Sequence, residues 1–246
     1  MSRFEGKNIL ITGGTRGIGL AGAQQIANEG GTVIITGQNQ ARVDALRAQF
    51  PAPHVVLQND AADPQAAHSL AAEVKRVGQL DGVWLNAGYA DMAAITKIDA
   101  PFFDQMMNTN VRGPILQLAQ LEPLLNEGAS VVVTASTAAY EGSAQVSVYA
   151  ATKGAIISLV RCWASELAPR GIRVNALVPG PIDTEFRAFL GTEQQATFER
   201  AVLATTALGR AGSAEEAAAV GLFLLSSAST YVTGSQYSVD GGLVMY

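Results

Sequence analysis

Short apolar runs alternate along the chain with longer stretches in which apolar residues recur every three to four positions. The first pattern suits strands and the second amphipathic helices. Strands are expected at residues 7–12, 32–36, 54–58, 81–85, 129–134, 172–177 and 235–239, and helices at 17–29, 40–49, 64–77, 101–125, 147–168 and 213–226. Runs such as NILIT, TVIIT and SVVVT lack polar alternation, so each strand presents apolar side chains to both faces. That is the signature of a parallel sheet covered by helices on both sides, with the helices serving as crossovers. The expected fold class is α/β, a single doubly wound parallel sheet of about seven strands with helices on both faces. One residue disturbs the pattern, Pro114 inside the expected helix 101–125. Proline offers no N–H, and its ring crowds the carbonyl four residues back, here that of Asn110. Either the helix kinks there, or it stays intact and the Asn110 carbonyl lacks its usual partner.

Composition narrows the function classes. At 246 residues and 48% hydrophobic content, the chain suffices for one well-cored domain spanning 1–246. A single cysteine, Cys162, rules out a disulfide framework or a thiolate metal site within the chain, and a reducing cytoplasm is the expected location. His54 and His68 stand at no metal-ligand spacing, so no metal site is expected. The formal charge is −5 with 16 scattered basic residues, which leaves no footprint for a phosphate backbone; nucleic acid is not an expected partner. Arg3, Glu5 and Lys7 precede the first apolar run, and no run reaches the ~18 apolar residues of a spanning helix. Neither export nor membrane insertion is expected. Arg161, Arg170 and Arg173 are expected to be solvated or salt-bridged.

Candidate chemistry centres on Ser136–Lys153 (STAAYEGSAQVSVYAATK). Tyr149 and Lys153, four apart in a helical pattern, share one helix face. A free tyrosine keeps its proton up to a pH of about 10, so acid–base work near neutrality needs a cation beside the phenol; Lys153 is that cation. Ser136 closes the run SVVVTAS, where a strand tip presents its hydroxyl to a cleft. At the end of the first strand, TGGTRGIG places Gly13, Gly17 and Gly19 at a strand-to-helix turn, which suits a pyrophosphate held on free helix N–H groups. After the second strand there is no acidic residue to bind ribose hydroxyls; Thr36, Gly37 and Gln38 stand there instead. Arg16, inside the glycine turn, could pair with a phosphate at that position. Asp60 after the third strand could equally cap a helix.

Taken together, these motifs resemble the short-chain dehydrogenase/reductase family over nearly the whole chain. The resemblance implies a Rossmann-type fold and an oxidoreductase that exchanges a ketone and a secondary alcohol by hydride transfer with a nicotinamide cofactor. Its site residues follow by position. The glycine turn, with Thr15, Arg16 and Ile18 among its members, would hold the pyrophosphate, and a basic residue at Arg16 accompanies preference for NADP(H) over NAD(H). Gln38 departs from the second Arg that many NADP-preferring relatives carry. Asp60 and Ala61 would bind the adenine, and Asn86, Ala87 and Gly88 would lie beside its ribose. Pro179, Gly180, Ile182 and Thr184 match the segment that embraces the nicotinamide. Tyr149 would be the general acid and base, Lys153 its electrostatic partner and ribose ligand, Ser136 the donor to the carbonyl oxygen, and Asn110 the residue that orders a water behind Lys153. Ala138, Tyr140 and Val146, with Ser136 and Tyr149, would form the substrate wall. Residues 185–210 would be a lid over it, with the C-terminal LVMY nearby, and an uncharged ketone is the expected substrate. A homotetramer assembled through the helices at 101–125 and 147–168 is implied as well. Two alternatives remain open, a 3-oxoacyl carrier-protein reductase and a non-catalytic nucleotide-binding regulatory protein.

Overall fold

The computed structural model describes residues 2–187, 200 and 202–245. Seven strands form one sheet: β1 (Asn8–Thr12), β2 (Thr32–Gly37), β3 (Val55–Gln58), β4 (Leu80–Leu85), β5 (Leu125–Thr134), β6 (Arg173–Pro179) and β7 (Gln236–Val239). Their order is β3-β2-β1-β4-β5-β6-β7, every pair parallel. Among the described residues the helices with defined bounds are α1 (Gly17–Asn28), α2 (Gln40–Gln49), α3 (Ala66–Val77), α4 (Ala100–Met107), α5 (Gly113–Leu121), α6 (Ser147–Leu167) and α7 (Ala214–Leu225).

The unbroken apolar runs divide as a period of two requires. Leu10 and Ile34 face Leu70 and Val74 of α3, Leu118 of α5 and Ile156 of α6. Ile9, Ile11, Val33 and Ile35 face Ala23 and Ile26 of α1, Val43 of α2 and Leu222 of α7. On that second face Trp84 is fully buried, and α1 and α7 close over it only because both carry glycine there. A Cβ on Gly22 would lie 2.5 Å from the indole, as would one on Gly221. The direction in which successive strands are added to the sheet reverses at β1, which has β2 on one side and β4 on the other, so a cleft opens beyond the carboxyl ends of those strands.

Three expectations need correction. The helix expected over 101–125 is two helices. Between α4 and α5 the chain widens into a π turn over Asn108–Arg112, with the Gly113 N–H donating to the Asn108 carbonyl five residues back. The backbone stays helical through this widening, and Pro114 follows it directly, the kind of π bulge at which a helix accommodates an interrupted hydrogen-bond ladder. Residue 125 belongs to β5, which begins four residues before the expected start because Leu125 pairs with Leu80 on β4; the polar Asn126, Glu127 and Gly128 hide this from an apolar-run reading. Arg173 is neither solvated nor salt-bridged: its buried guanidinium donates to the Leu224 and Ser226 carbonyls and to the Ser229 hydroxyl. It thereby satisfies acceptors at the end of α7. Of the expected lid, Glu185–Arg187 form a short 3-10 turn, and 188–199 and 201 lie outside the described residues, Phe189, Leu190 and Phe198 among them.

Candidate active site

The cleft has a volume of about 350 Å³. At one end Arg16, Gln38, Asn39, Arg42 and Asp60 line it; at the other are Ser136, Ala138, Val146, Tyr149 and Lys153. Between them lie the glycine turn with Thr15 and Ile18, the Asn86–Gly88 loop, and the segment Pro179, Gly180, Ile182 and Thr184.

The glycine turn is shaped by close approach. Gly13 has a φ of +62°, and a Cβ on it would stand 2.7 Å from the Ala87 Cα; no other residue fits that space and that backbone. α1 starts at Gly17 with Arg16 as N-cap and no side-chain cap, so its first N–H groups are directed at the cleft with the positive end of the helix dipole. This cradle fits a pyrophosphate. Behind it the Asn86 amide donates to the Gly13 carbonyl (3.1 Å) and its oxygen accepts from Thr134 Oγ1 (3.0 Å). Thr12 Oγ1 accepts the N–H groups of Asn86 and Ala87. The tips of β1, β4 and β5 are therefore laced together beneath the turn.

At the other end, α6 carries Tyr149 and Lys153 on one face. Lys153 is 3% exposed; its Nζ donates to the Thr134 carbonyl at 2.8 Å and lies 5.7 Å from the centre of the Tyr149 ring. Burial holds the ammonium down to about 8 from its ordinary 10.5. Ser136 Oγ accepts the Ala138 N–H at 3.2 Å, a bond that uses a lone pair and leaves the hydroxyl proton to donate. The Phe186 ring sits 6.3 Å from that of Tyr149. Asn110 is buried behind this group. Its oxygen accepts the Tyr89 N–H (2.8 Å), and its amide donates to the Tyr89 carbonyl (2.8 Å) and to Thr152 Oγ1 (3.1 Å). Thr152 in turn donates to the Tyr149 carbonyl. A hydroxyl donor, a phenol and a buried ammonium on one wall can stabilise and protonate an oxygen that gains charge.

Four expected site residues stand off the wall. Gly19 packs under the turn against Asn86. Thr36 is buried in β2, its carbonyl accepting the Gly14 N–H. Asn110 acts through Tyr89 and Thr152. Tyr140, assigned above to the substrate wall, is carried away by the 3-10 turn Thr137–Ala139, and its hydroxyl donates to Gln236 at the start of β7. Asp60 caps no helix, since α3 starts at Ala66 behind Gln65; it accepts the Ala62 N–H in a local turn and binds the Gln38 amide at 2.9 Å. Sequence reasoning missed Thr134, whose carbonyl holds Lys153, as well as Arg42, Asp91, Glu141 and Glu185, all on the cleft wall. Only Arg42 had a local signal, its place in the first turn of a helix that starts beside the second strand's tip.

Among the described residues no helix is long and apolar enough to cross a membrane, and no cluster of His, Cys, Asp and Glu could hold a metal ion. Residues 13–244 match the family model described as enoyl-(acyl carrier protein) reductase. The oxidoreductase asL5 of Sarocladium schorii is 36% identical, covering 99% of this chain and 98% of its own. The 3-oxoacyl-(acyl-carrier-protein) reductase FabG of Thermotoga maritima is 34% identical over 99% of this chain and 100% of its own. A short-chain dehydrogenase from Burkholderia cenocepacia, crystallised with NADP, superposes with a TM-score of 0.90 at 32% identity, over 98% of this chain and 99% of that one. With a parallel seven-stranded sheet, a glycine turn at its switch point and a tyrosine–lysine pair on the facing helix, the chain belongs to the short-chain dehydrogenase/reductase family and is an oxidoreductase.

Proposed function

We propose that the enzyme reduces an uncharged ketone to a secondary alcohol with NADPH, and runs the reverse reaction with NADP. The observation that carries this reading is the buried Lys153 ammonium beside the Tyr149 ring on the wall that also bears Ser136. The nicotinamide, when bound, supplies or takes the hydride. Ser136 donates a hydrogen bond to the carbonyl oxygen as it gains charge. Tyr149 gives that oxygen its proton, and Lys153 stabilises the phenolate left behind. Pro179, Gly180, Ile182 and Thr184 would hold the nicotinamide, Ala138 and Val146 the substrate, and Asp60, Ala61 and the Asn86–Gly88 loop the adenosine. Arg16 and the lack of an acidic residue after β2 favour NADP(H) over NAD(H). NADPH consumption across a panel of ketones, diketones and sugars tests the substrate class; equal or better kcat/KM with NADH would overturn the cofactor preference.

A second reading, reduction of 3-oxoacyl groups on a carrier protein, draws support from the likeness to the Thermotoga maritima enzyme. Carrier proteins are acidic, and Asp91 and Glu141 on the cleft wall of a chain with net charge −5 oppose such a partner. Turnover of an acylated carrier protein above that of any free ketone would favour this alternative. Exposed Phe103 on α4 and Ile115 on α5 support assembly into a homotetramer, for which light scattering should give four times the mass of one chain.

A further inference from the structure

Arg16, Arg42 and Glu185 meet at the end of the cleft where a nucleotide's adenosine would lie, brought together from three separate elements. Arg42 Nη2 lies 2.9 Å from Glu185 Oε2; Arg16 Nη1 lies 3.5 Å from the same oxygen and 3.4 Å from the Glu185 carbonyl. The two arginines approach from the turn after β1 and from the first turn of α2, where Asn39 caps the Arg42 N–H. Glu185 comes from the far lip, between Thr184 and Phe186. All three side chains line the cleft and stay open to water, the arginines 43% and the glutamate 66% exposed. One carboxylate oxygen shared by two guanidiniums is the arrangement that otherwise receives a phosphate monoester. The exposure makes the pairs weak enough to exchange.

We propose that Glu185 is an internal anion standing in the place of the cofactor's 2′-phosphate, with Arg42 as a second phosphate ligand beside Arg16. This rests on the NADP(H) reading of the site. A phosphorylated dinucleotide must displace the Glu185 carboxylate and tolerate its charge nearby. One without the 2′-phosphate leaves the pairs intact. Glu185 therefore narrows the discrimination between the two cofactors that the arginines alone would give.

The test is calorimetric binding of 2′,5′-ADP and of 5′-ADP to the protein without cofactor. Neither probe carries a nicotinamide, so no catalytic step enters. Exposed ion pairs are weak, so Glu185→Gln should tighten 2′,5′-ADP by about 3- to 10-fold and leave 5′-ADP within about twofold. Arg42→Gln should weaken 2′,5′-ADP by a similar factor, and in the double variant the gain from Glu185→Gln should shrink because half of the released site is gone. Unchanged or weaker 2′,5′-ADP binding by Glu185→Gln, in a protein whose wild type prefers 2′,5′-ADP over 5′-ADP, overturns the role of Glu185 alone. If wild type shows no such preference and Arg16→Gln changes nothing, the NADP(H) reading itself fails and takes this inference with it.

Discussion

Behind the end of the cleft that carries Tyr149, the polar groups are held by buried and half-buried hydrogen bonds: Asn110 on Tyr89 and Thr152, Thr152 on the Tyr149 carbonyl, Lys153 on the Thr134 carbonyl. At the end that carries Arg16, the contacts are exposed ion pairs and an amide–carboxylate contact, Arg16 and Arg42 on Glu185 and Gln38 on Asp60. Buried groups pay a full desolvation penalty when a partner is lost, and exposed ones fall back on water. The first end is thus rigid and intolerant of change, as proton transfer at a fixed distance requires. The second can exchange partners, which suits the choice between cofactors that differ by one phosphate.

The sharpest way to break this comparison is Tyr149→Phe, which keeps the ring packing against Phe186 and deletes the hydroxyl that carries the proton. Turnover should fall by about 10²- to 10⁴-fold while NADPH still quenches protein fluorescence with little change in affinity. Activity within tenfold of wild type would reject the assignment. Next in size is Asn110→Leu. It orphans the Tyr89 N–H and the Tyr89 carbonyl and removes a donor from Thr152, whose hydroxyl keeps its bond to the Tyr149 carbonyl; each orphan costs about 1–3 kcal/mol. Urea unfolding should show a loss of about 3 kcal/mol or more, and a loss under about 1 kcal/mol would mean that the network is not the rigid support described.

Lys153 gives a pH signature of the same burial. Below about pH 8 folded and unfolded chains both hold the proton, and the cost of burying the charge is constant; between about 8 and the ordinary 10.5 only the unfolded chain binds it. Stability therefore rises with pH across that window, by at most about 3 kcal/mol. The unfolding free energy of wild type minus that of Lys153→Met should rise from pH 7 to 10. A flat or shrinking difference contradicts it. The smallest effect belongs to the exposed end. Gln38→Arg adds a cation on the cleft wall beside Asp60, and kcat/KM for NADPH over NADH should rise by about 3- to 10-fold with kcat nearly unchanged. A large change in kcat would show that the two ends are coupled more tightly than their construction suggests.

What the sequence by itself determined was local. Apolar runs without alternation mark the central strands because a parallel sheet buries both faces of each, whereas the edge strand β7 (QYSV) is only half-buried. Gly13 marks the tight turn because its backbone, at a φ of +62°, is open to glycine at no steric cost. Tyr149 and Lys153 share a face because the helix repeats every 3.6 residues. These signals lie within a few neighbouring residues and follow from sterics and spacing. Tertiary structure alone decided the rest. It seated Asn110 on Tyr89 and Thr152, brought Glu185 to Arg42 across 143 residues, extended β5 back to Leu125 through its pairing with Leu80, buried Arg173 under the end of α7, and turned Tyr140 away from the cleft despite its nearness in sequence to Ser136. Partners of this kind come from separate strand tips and helix ends. Their meeting depends on the register of the whole sheet and on the reversal between β1 and β4, which no short stretch of chain encodes.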